Sequence, residues 1–311
     1  MYRRILALAL LLALVLTGCA QAPASVDEAC VAATTYPVWQ FTCAVTEGTG
    51  LRVERVISEP VSCVHDYALS VEQMKILSRS RAVVISGLGL EDFMADVLPD
   101  GERCIDASAG IETLSAEAHD HDHDHDHDGH GHDHDHDGHG HDHEHGEADP
   151  HLWLDPARAG QMVRNIAAGL SGLYPAYAET FSRNAEAYCA ELDKLLEDGR
   201  AALSGLSCRE LVTFHDGFGY FADAFGLDIA AAMEVEAGSE PPARELEEIV
   251  GLLRARDIPA VFCEASGDDA VARLVANETG AGVFVLDLGM GARDYFETLR
   301  HDLETVKEAL S

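Results

Sequence analysis

CVAATTYPVWQFTCAVTEGTGLRVERVI, residues 30–57, decides the fold. Residues 30–34 are a short apolar run closed by Thr34, with the length and composition of a buried strand. Residues 36–45 read as a helix and residues 51–57 as a second strand. A strand, a helix and a strand in succession form a crossover unit whose two strands run parallel.

The same rhythm continues outward. Ser70 opens a helix with Gln73 three residues on, the pattern of a capping box. Residues 82–86 predict a buried strand, residues 91–97 a short helix and residues 103–107 another strand. Residues 156 to 205, rich in Ala, Leu and Glu, predict helix, with a long helix starting at Pro175 and running to about Leu203. Strands are then expected at 211–214, 227–232, 260–263 and 283–286, and helices at 217–224, 242–255, 268–279 and 293–309. The expected fold class is α/β, in two lobes. Each lobe holds a mostly parallel sheet flanked by helices, and one long helix joins them. The first lobe spans residues 29–157, the helical connection 158–205 and the second lobe 206–311. Such a body offers a ligand site in the interlobe cleft, beside the C-terminal ends of strands.

Composition breaks once within this body. From residue 119 to residue 145 every residue is His, Asp, Glu or Gly: 13 His, 10 acidic residues and 4 Gly. None of these can join a core, so the segment is expected to be a disordered loop in the first lobe. At the N-terminus, Arg3 and Arg4 precede 12 residues, 5–16, made of Ile, Leu, Ala and Val. That run is too short to cross about 30 Å of hydrocarbon as a helix, and it fits a signal peptide over residues 1–18.

The 311 residues carry a formal charge of −34, from 55 acidic and 21 basic residues. A nucleic-acid backbone repels such a chain, and no basic patch relieves the repulsion, so nucleic acid is excluded as a partner. A divalent cation is attracted. Besides Cys19 there are seven cysteines, so an exported chain leaves at least one thiol unpaired. Cys189 with Cys208, and Cys43 with Cys63, are two of the pairings open to these seven thiols. No Cys-x-x-Cys is present, which excludes a thiolate zinc knuckle.

Four His lie outside the tract. His65, His151 and His215 stand after apolar strands or at turns, where side chains point into a cleft. His301 falls on the polar face of the last helix, in solvent. Three imidazoles with one carboxylate suit zinc, which takes four ligands and favours neutral His nitrogen. Asp287, at the end of the strand 283–286, is the first candidate for the fourth ligand, and Glu264, at the end of the strand 260–263, the second. Imidazoles move preference away from Mg, Ca and Mn and toward Zn, Ni and Cu.

These segments carry a resemblance. Leu16-Thr17-Gly18-Cys19 resembles a bacterial lipobox, in which the Cys begins the mature chain and carries the lipid. Residues 61–70 are similar to the Pro-His-Asp-Tyr-x-Pro-Ser segment of the cluster A-I (cluster 9) metal-binding lipoproteins of ABC importers. Ser86-Gly87-Leu88-Gly89-Leu90-Glu91 resembles that family's Asn-Gly-x-x-x-Glu turn. Asp149-Pro150-His151-Leu152-Trp153-Leu154-Asp155-Pro156 resembles its Asp-Pro-His-x-Trp-Leu-Asp-Pro motif. Residues 213–220, 261–266 and 282–289 are similar to its His-x-Ala-Phe-x-Tyr, Phe-x-Glu-Pro and closing Asp-turn segments. The match covers essentially the whole mature chain. It departs at Cys63-Val64, Asp216-Gly217, Ala265-Ser266 and Leu288-Gly289.

The resemblance implies two lobes rigidly linked by the long helix, with His65, His151, His215 and Asp287 as ligands. A third His marks zinc-type members, where manganese-type members carry Glu. Zinc-type members also carry a His-rich loop. Here that loop holds His119, His121, His123, His125, His127, His130, His132, His134, His136, His139, His141, His143 and His145, an accessory cation collector. The implied function is a monomeric solute-binding protein, lipid-anchored to the cell membrane on its extracytoplasmic face through Cys19. It captures Zn²⁺ and delivers it to a membrane permease driven by a cytoplasmic ATPase. The alternatives are a manganese or other divalent-metal receptor, a metal-sequestering lipoprotein, an adhesin, and a zinc hydrolase. Against the hydrolase, there is no His-Glu-x-x-His helix and no general base beside an open fourth position.

Overall fold

The computed structural model describes residues 27–59, 67–114, 149–233, 242–265, 269–291 and 293–311. The first sheet contains β1 (Asp27–Ala33), β2 (Arg52–Arg55), β3 (Ser80–Ile85) and β4 (Cys104–Asp106), in the order β2-β1-β3-β4. The second contains β5 (Glu210–Thr213), β6 (Asp228–Ala232), β7 (Ala260–Glu264) and β8 (Gly282–Leu286), in the order β6-β5-β7-β8. All six strand pairings are parallel. Strands covered on both faces need no polar alternation. Cys30–Ala33 and Ala260–Cys263 are accordingly buried runs, while the edge strand β2 carries three charged residues, Arg52, Glu54 and Arg55.

In each sheet the chain moves to one side and then crosses back to the other. The switch points lie between β1 and β3 and between β5 and β7. Loops leaving two adjacent strands diverge there and open a crevice at the strand C-termini.

The helices are α1 (Tyr36–Thr46), α2 (Val71–Arg79), α3 (Pro156–Leu173), α4 (Ala178–Leu203), α5 (Gly219–Phe225), α6 (Ala243–Arg256), α7 (Ala270–Thr279) and α8 (Tyr295–Leu310). The capping box opens α2: Gln73 N–H donates to Ser70 Oγ, and Ser70 N–H donates to the Gln73 side chain. One expected helix differs in kind, and the long one only in its first turn. Residues 92–97 form a 3₁₀ turn rather than an α-helix. The long helix begins at Ala178, after a 3₁₀ turn at Pro175–Tyr177, because the residue before proline is driven out of the α region and Tyr174 sits at ψ 65°. At 26 residues α4 is about 39 Å long. It packs along α3 and touches α1 of the first lobe and α5 and α8 of the second. Close approach requires Gly199, where a Cβ would stand 2.5 Å from Phe225 and 2.9 Å from Leu303.

One apolar core runs without interruption from Val31 in β1 through Trp153, Met162 and Leu192 to Leu310 in α8. Polar bridges add to it. Tyr295 donates its hydroxyl to Trp153 O at 2.7 Å and its N–H to Gln40 at 2.9 Å. Arg158 reaches Asp155, Asp223 and Glu112 O. These bridges tie the two sheets into one packed body, as the resemblance implies.

The cysteines correct one expectation. Cys189 and Cys208 are both free thiols. Cys189 donates to Gly160 O between α3 and α4, and Cys208 sits at the end of the helical connection beside Glu210. The proposed partner of Cys43, Cys63, lies outside the described residues. His301 is half-buried on α8 rather than fully in solvent. Among the described residues no helix is long and apolar enough to cross a membrane.

Candidate metal centre

His215 follows β5 by two residues, and Glu264 is the last residue of β7. The two strands are neighbours, so the second sheet's switch point brings these side chains together: His215 Nδ1 stands 3.1 Å from Glu264 Oε1. His151 arrives from the other side. It caps the turn Leu152–Leu154, whose chain continues through Asp155, the N-cap of α3. Asp149 holds it twice, accepting from the His151 backbone N–H at 2.9 Å and bonding Nδ1 at 2.7 Å through the same oxygen. The two imidazoles meet edge to face, with centroids 5.3 Å apart and planes at 88°.

Each ring thus has a carboxylate at Nδ1, hydrogen-bonded in His151 and at ion-pair distance in His215. A carboxylate there favours the tautomer with the proton on Nδ1 and leaves Nε2 as the metal donor. Gly217 keeps the space between the rings clear. A Cβ there would stand 2.6 Å from His215 Cδ2, 2.8 Å from His215 Nε2 and 3.1 Å from His151 Cε1.

Asp287 follows β8 and is buried. Its Oδ1 accepts from Gly289 N–H and its Oδ2 pairs with Arg293 Nη1, both at 2.9 Å. Its own N–H donates to Asp302 Oδ1 at 3.0 Å. Asp302 is fully buried in α8, and burial pushes its carboxyl well above the usual carboxylate range. Trp153 ties this turn to the His151 segment. Its indole N–H donates to Leu288 O at 2.8 Å, and its ring lies 5.2 Å from the His151 ring.

The first sheet's switch point is filled differently. Glu91 is buried there and accepts from Thr34 Oγ1 at 2.6 Å, Ser86 N–H at 2.7 Å and Gly87 N–H at 3.0 Å. Burial raises its carboxyl. This is the acidic residue of the Ser86–Glu91 turn, and it closes the crevice rather than facing it.

Two of the expected ligands, His151 and His215, thus come together. Among the described residues no group of three or more His, Cys, Asp or Glu side chains is arranged to hold a metal. His65, Cys19 and the tract from His119 to His145 lie outside the described residues. Beside the candidate ligands, Asp149, Gly217, Trp153 and Arg293 shape this centre. A carboxylate two residues before a candidate ligand His was the available signal for Asp149. The others have no signal in one sequence.

Residues 31–309 match the family of the periplasmic component A of zinc-uptake complexes. The chain belongs to that family. It is a zinc-type cluster A-I solute-binding protein, as the resemblance of its motifs implied. A protein of Treponema pallidum is 30% identical over 255 residues, covering 79% of this chain and 77% of that one. The zinc-binding protein AdcA of Streptococcus pyogenes serotype M1 is 31% identical over 291 residues, covering 89% of this chain and 55% of AdcA. The chain thus spans about half the length of AdcA. A crystal structure of ZnuA superposes with a TM-score of 0.74 at 27% identity, covering 92% of this chain and 100% of that one. A ZnuA deletion mutant with zinc bound gives 0.72 at 25% identity, covering 92% and 99%. The fold of the zinc-uptake family, two parallel-sheet lobes on a long helix, is the fold described above.

Proposed function

We propose that the chain is an extracytoplasmic receptor, anchored by lipid at Cys19, that captures Zn²⁺ and delivers it to an ABC permease powered by a cytoplasmic ATPase. The observation that carries this reading is the His151–His215 pair, 5.3 Å apart, with a carboxylate beside each Nδ1, bonded to His151 and at ion-pair distance from His215. Membership in a zinc-uptake family supports it, as do the zinc-binding AdcA relatives and the zinc-bound ZnuA deletion mutant.

His151 and His215 donate Nε2, His65 supplies a third imidazole and Asp287 the carboxylate. Glu264, the second choice for that carboxylate, is used through His215. Four protein ligands close the coordination shell and leave no open position for a reactive water, so the metal is cargo and not a Lewis acid for hydrolysis. The 13 His of the tract gather cations weakly and raise their concentration near the cleft.

The test is calorimetric zinc titration with native mass spectrometry, on soluble chain starting after Cys19, with and without residues 119–145. One tight zinc that survives loss of the tract and vanishes in His215→Ala supports the reading. Loss of tight zinc along with the tract overturns it.

A further inference from the structure

We propose that Arg293 is a resident counter-cation at Asp287 that the incoming metal must displace, so that this arginine sets how tightly zinc is held and how fast it leaves. The inference rests on the reading of Asp287 as the fourth ligand.

The Asp287 side chain is 7% exposed. A carboxylate so buried is strongly destabilising unless a cation or donors compensate it. Its Oδ1 is committed to the Gly289 N–H of its own turn, so Oδ2 is the oxygen a metal would take. That oxygen is the one Arg293 holds, at 2.9 Å. Asp287 therefore already has an internal cation on the oxygen that the metal would take.

The guanidinium is placed to leave. Its side chain is 39% exposed, and Asp287 is its ion-pair partner among the described residues. It stands between Gly291, at φ 138°, and Asp294, the N-cap of α8. Arg158 is the contrast: 15% exposed and bridging Asp155 and Asp223, it is built to stay. The backbone of the Asp287 turn is meanwhile fixed by Asp302 and Trp153, so the exchange needs only a side-chain swing. Whatever stability the Arg293 pair gives the metal-free protein is subtracted from the free energy of metal binding.

The experiment is a chelator-competition titration and a stopped-flow release measurement on the full chain, reading its tightest zinc equivalent. Arg293→Gln is expected to tighten that equivalent about tenfold and to slow its release. The same change should lower the melting temperature of the metal-free form and leave that of the zinc-loaded form unchanged. Arg293→Lys should fall between the two. An unchanged or weaker affinity in Arg293→Gln, with Asp287→Asn still weakening zinc, overturns the counter-cation while leaving Asp287 as ligand. Unchanged affinity in Asp287→Asn overturns the ligand reading and the proposal with it. Should Arg293→Gln fail to fold, side-chain NMR of Arg293 in the unaltered protein decides. Protection of its Nε–H that disappears with one equivalent of zinc supports displacement, and a resonance that ignores zinc overturns it.

Discussion

His215 Nδ1 lies 3.1 Å from Glu264 Oε1, joining the loop after β5 to the last residue of β7. These neighbouring strands flank the point where the second sheet's chain order reverses. The pair orients an imidazole at the C-terminal edge of the sheet, and Asp149 does the same for His151 from the opposite side.

Removing these carboxylates weakens zinc without removing a ligand. Glu264→Gln and Asp149→Asn are each expected to cost about 10- to 100-fold in zinc affinity, the usual consequence of losing a partner that orients a metal-binding His. Calorimetry measures this directly. Affinity within twofold of the unaltered protein would mean that the Nδ1 bonds do not position the rings.

Gly217→Ala puts a methyl group 2.8 Å from His215 Nε2. Gly217 lies outside the left-handed region, so the backbone accepts alanine and the clash falls on the ring. The family's His-x-Ala-Phe-x-Tyr segment carries alanine at this position, so the ring turns aside, and the expected outcome is zinc affinity within about threefold of the unaltered protein with a melting temperature within a few degrees. A loss of tenfold or more would mean that the His215 ring cannot move and that this chain's site depends on glycine here.

Glu91 gives a pH signature in stability. Burial holds its folded carboxyl above the 4.5 of an ordinary Glu, so the folded chain binds this proton more tightly than the unfolded chain. The contribution of Glu91 is then full below pH 4.5 and declines as pH rises through the raised value. Glu91→Gln removes that slope. It also turns an amide N–H₂ toward the donors Thr34, Ser86 and Gly87, at a cost of about 1–3 kcal/mol. Denaturant unfolding between pH 4 and 8 should show the gap between the two proteins widest at low pH. A constant gap would mean that Glu91 does not titrate in this range.

Cys208→Ser is expected to leave the melting temperature nearly unchanged, because Cys208 and Cys189 are separate thiols. Loss of a native disulfide would instead cost about 2–5 kcal/mol. Mass measurement after alkylation without reductant checks the same point: both cysteines should take the label once the chain is unfolded.

Much of this protein is determined by local sequence. The apolar runs and amphipathic stretches set most strands and α-helices of the described chain to within about two residues of expectation, the buried central strands because burial on both faces of a parallel strand demands an unbroken apolar run. Ser70 and Gln73 wrote the start of α2 in advance, and Pro175 broke the helical connection where proline sterics require. The candidate ligands His151 and His215 were legible as imidazoles at strand ends and turns. The tertiary structure alone decided what surrounds them. Asp149 lies two residues from its histidine, but Glu264 is far from His215 in sequence and reaches it only because β5 and β7 pair. Arg293 and Asp302 reach Asp287 because α8 folds back beneath the turn that precedes it. Periodicity reports which face of an element is buried. It carries no record of which charged group from another element will stand opposite, and that choice is made when the two sheets close on one core.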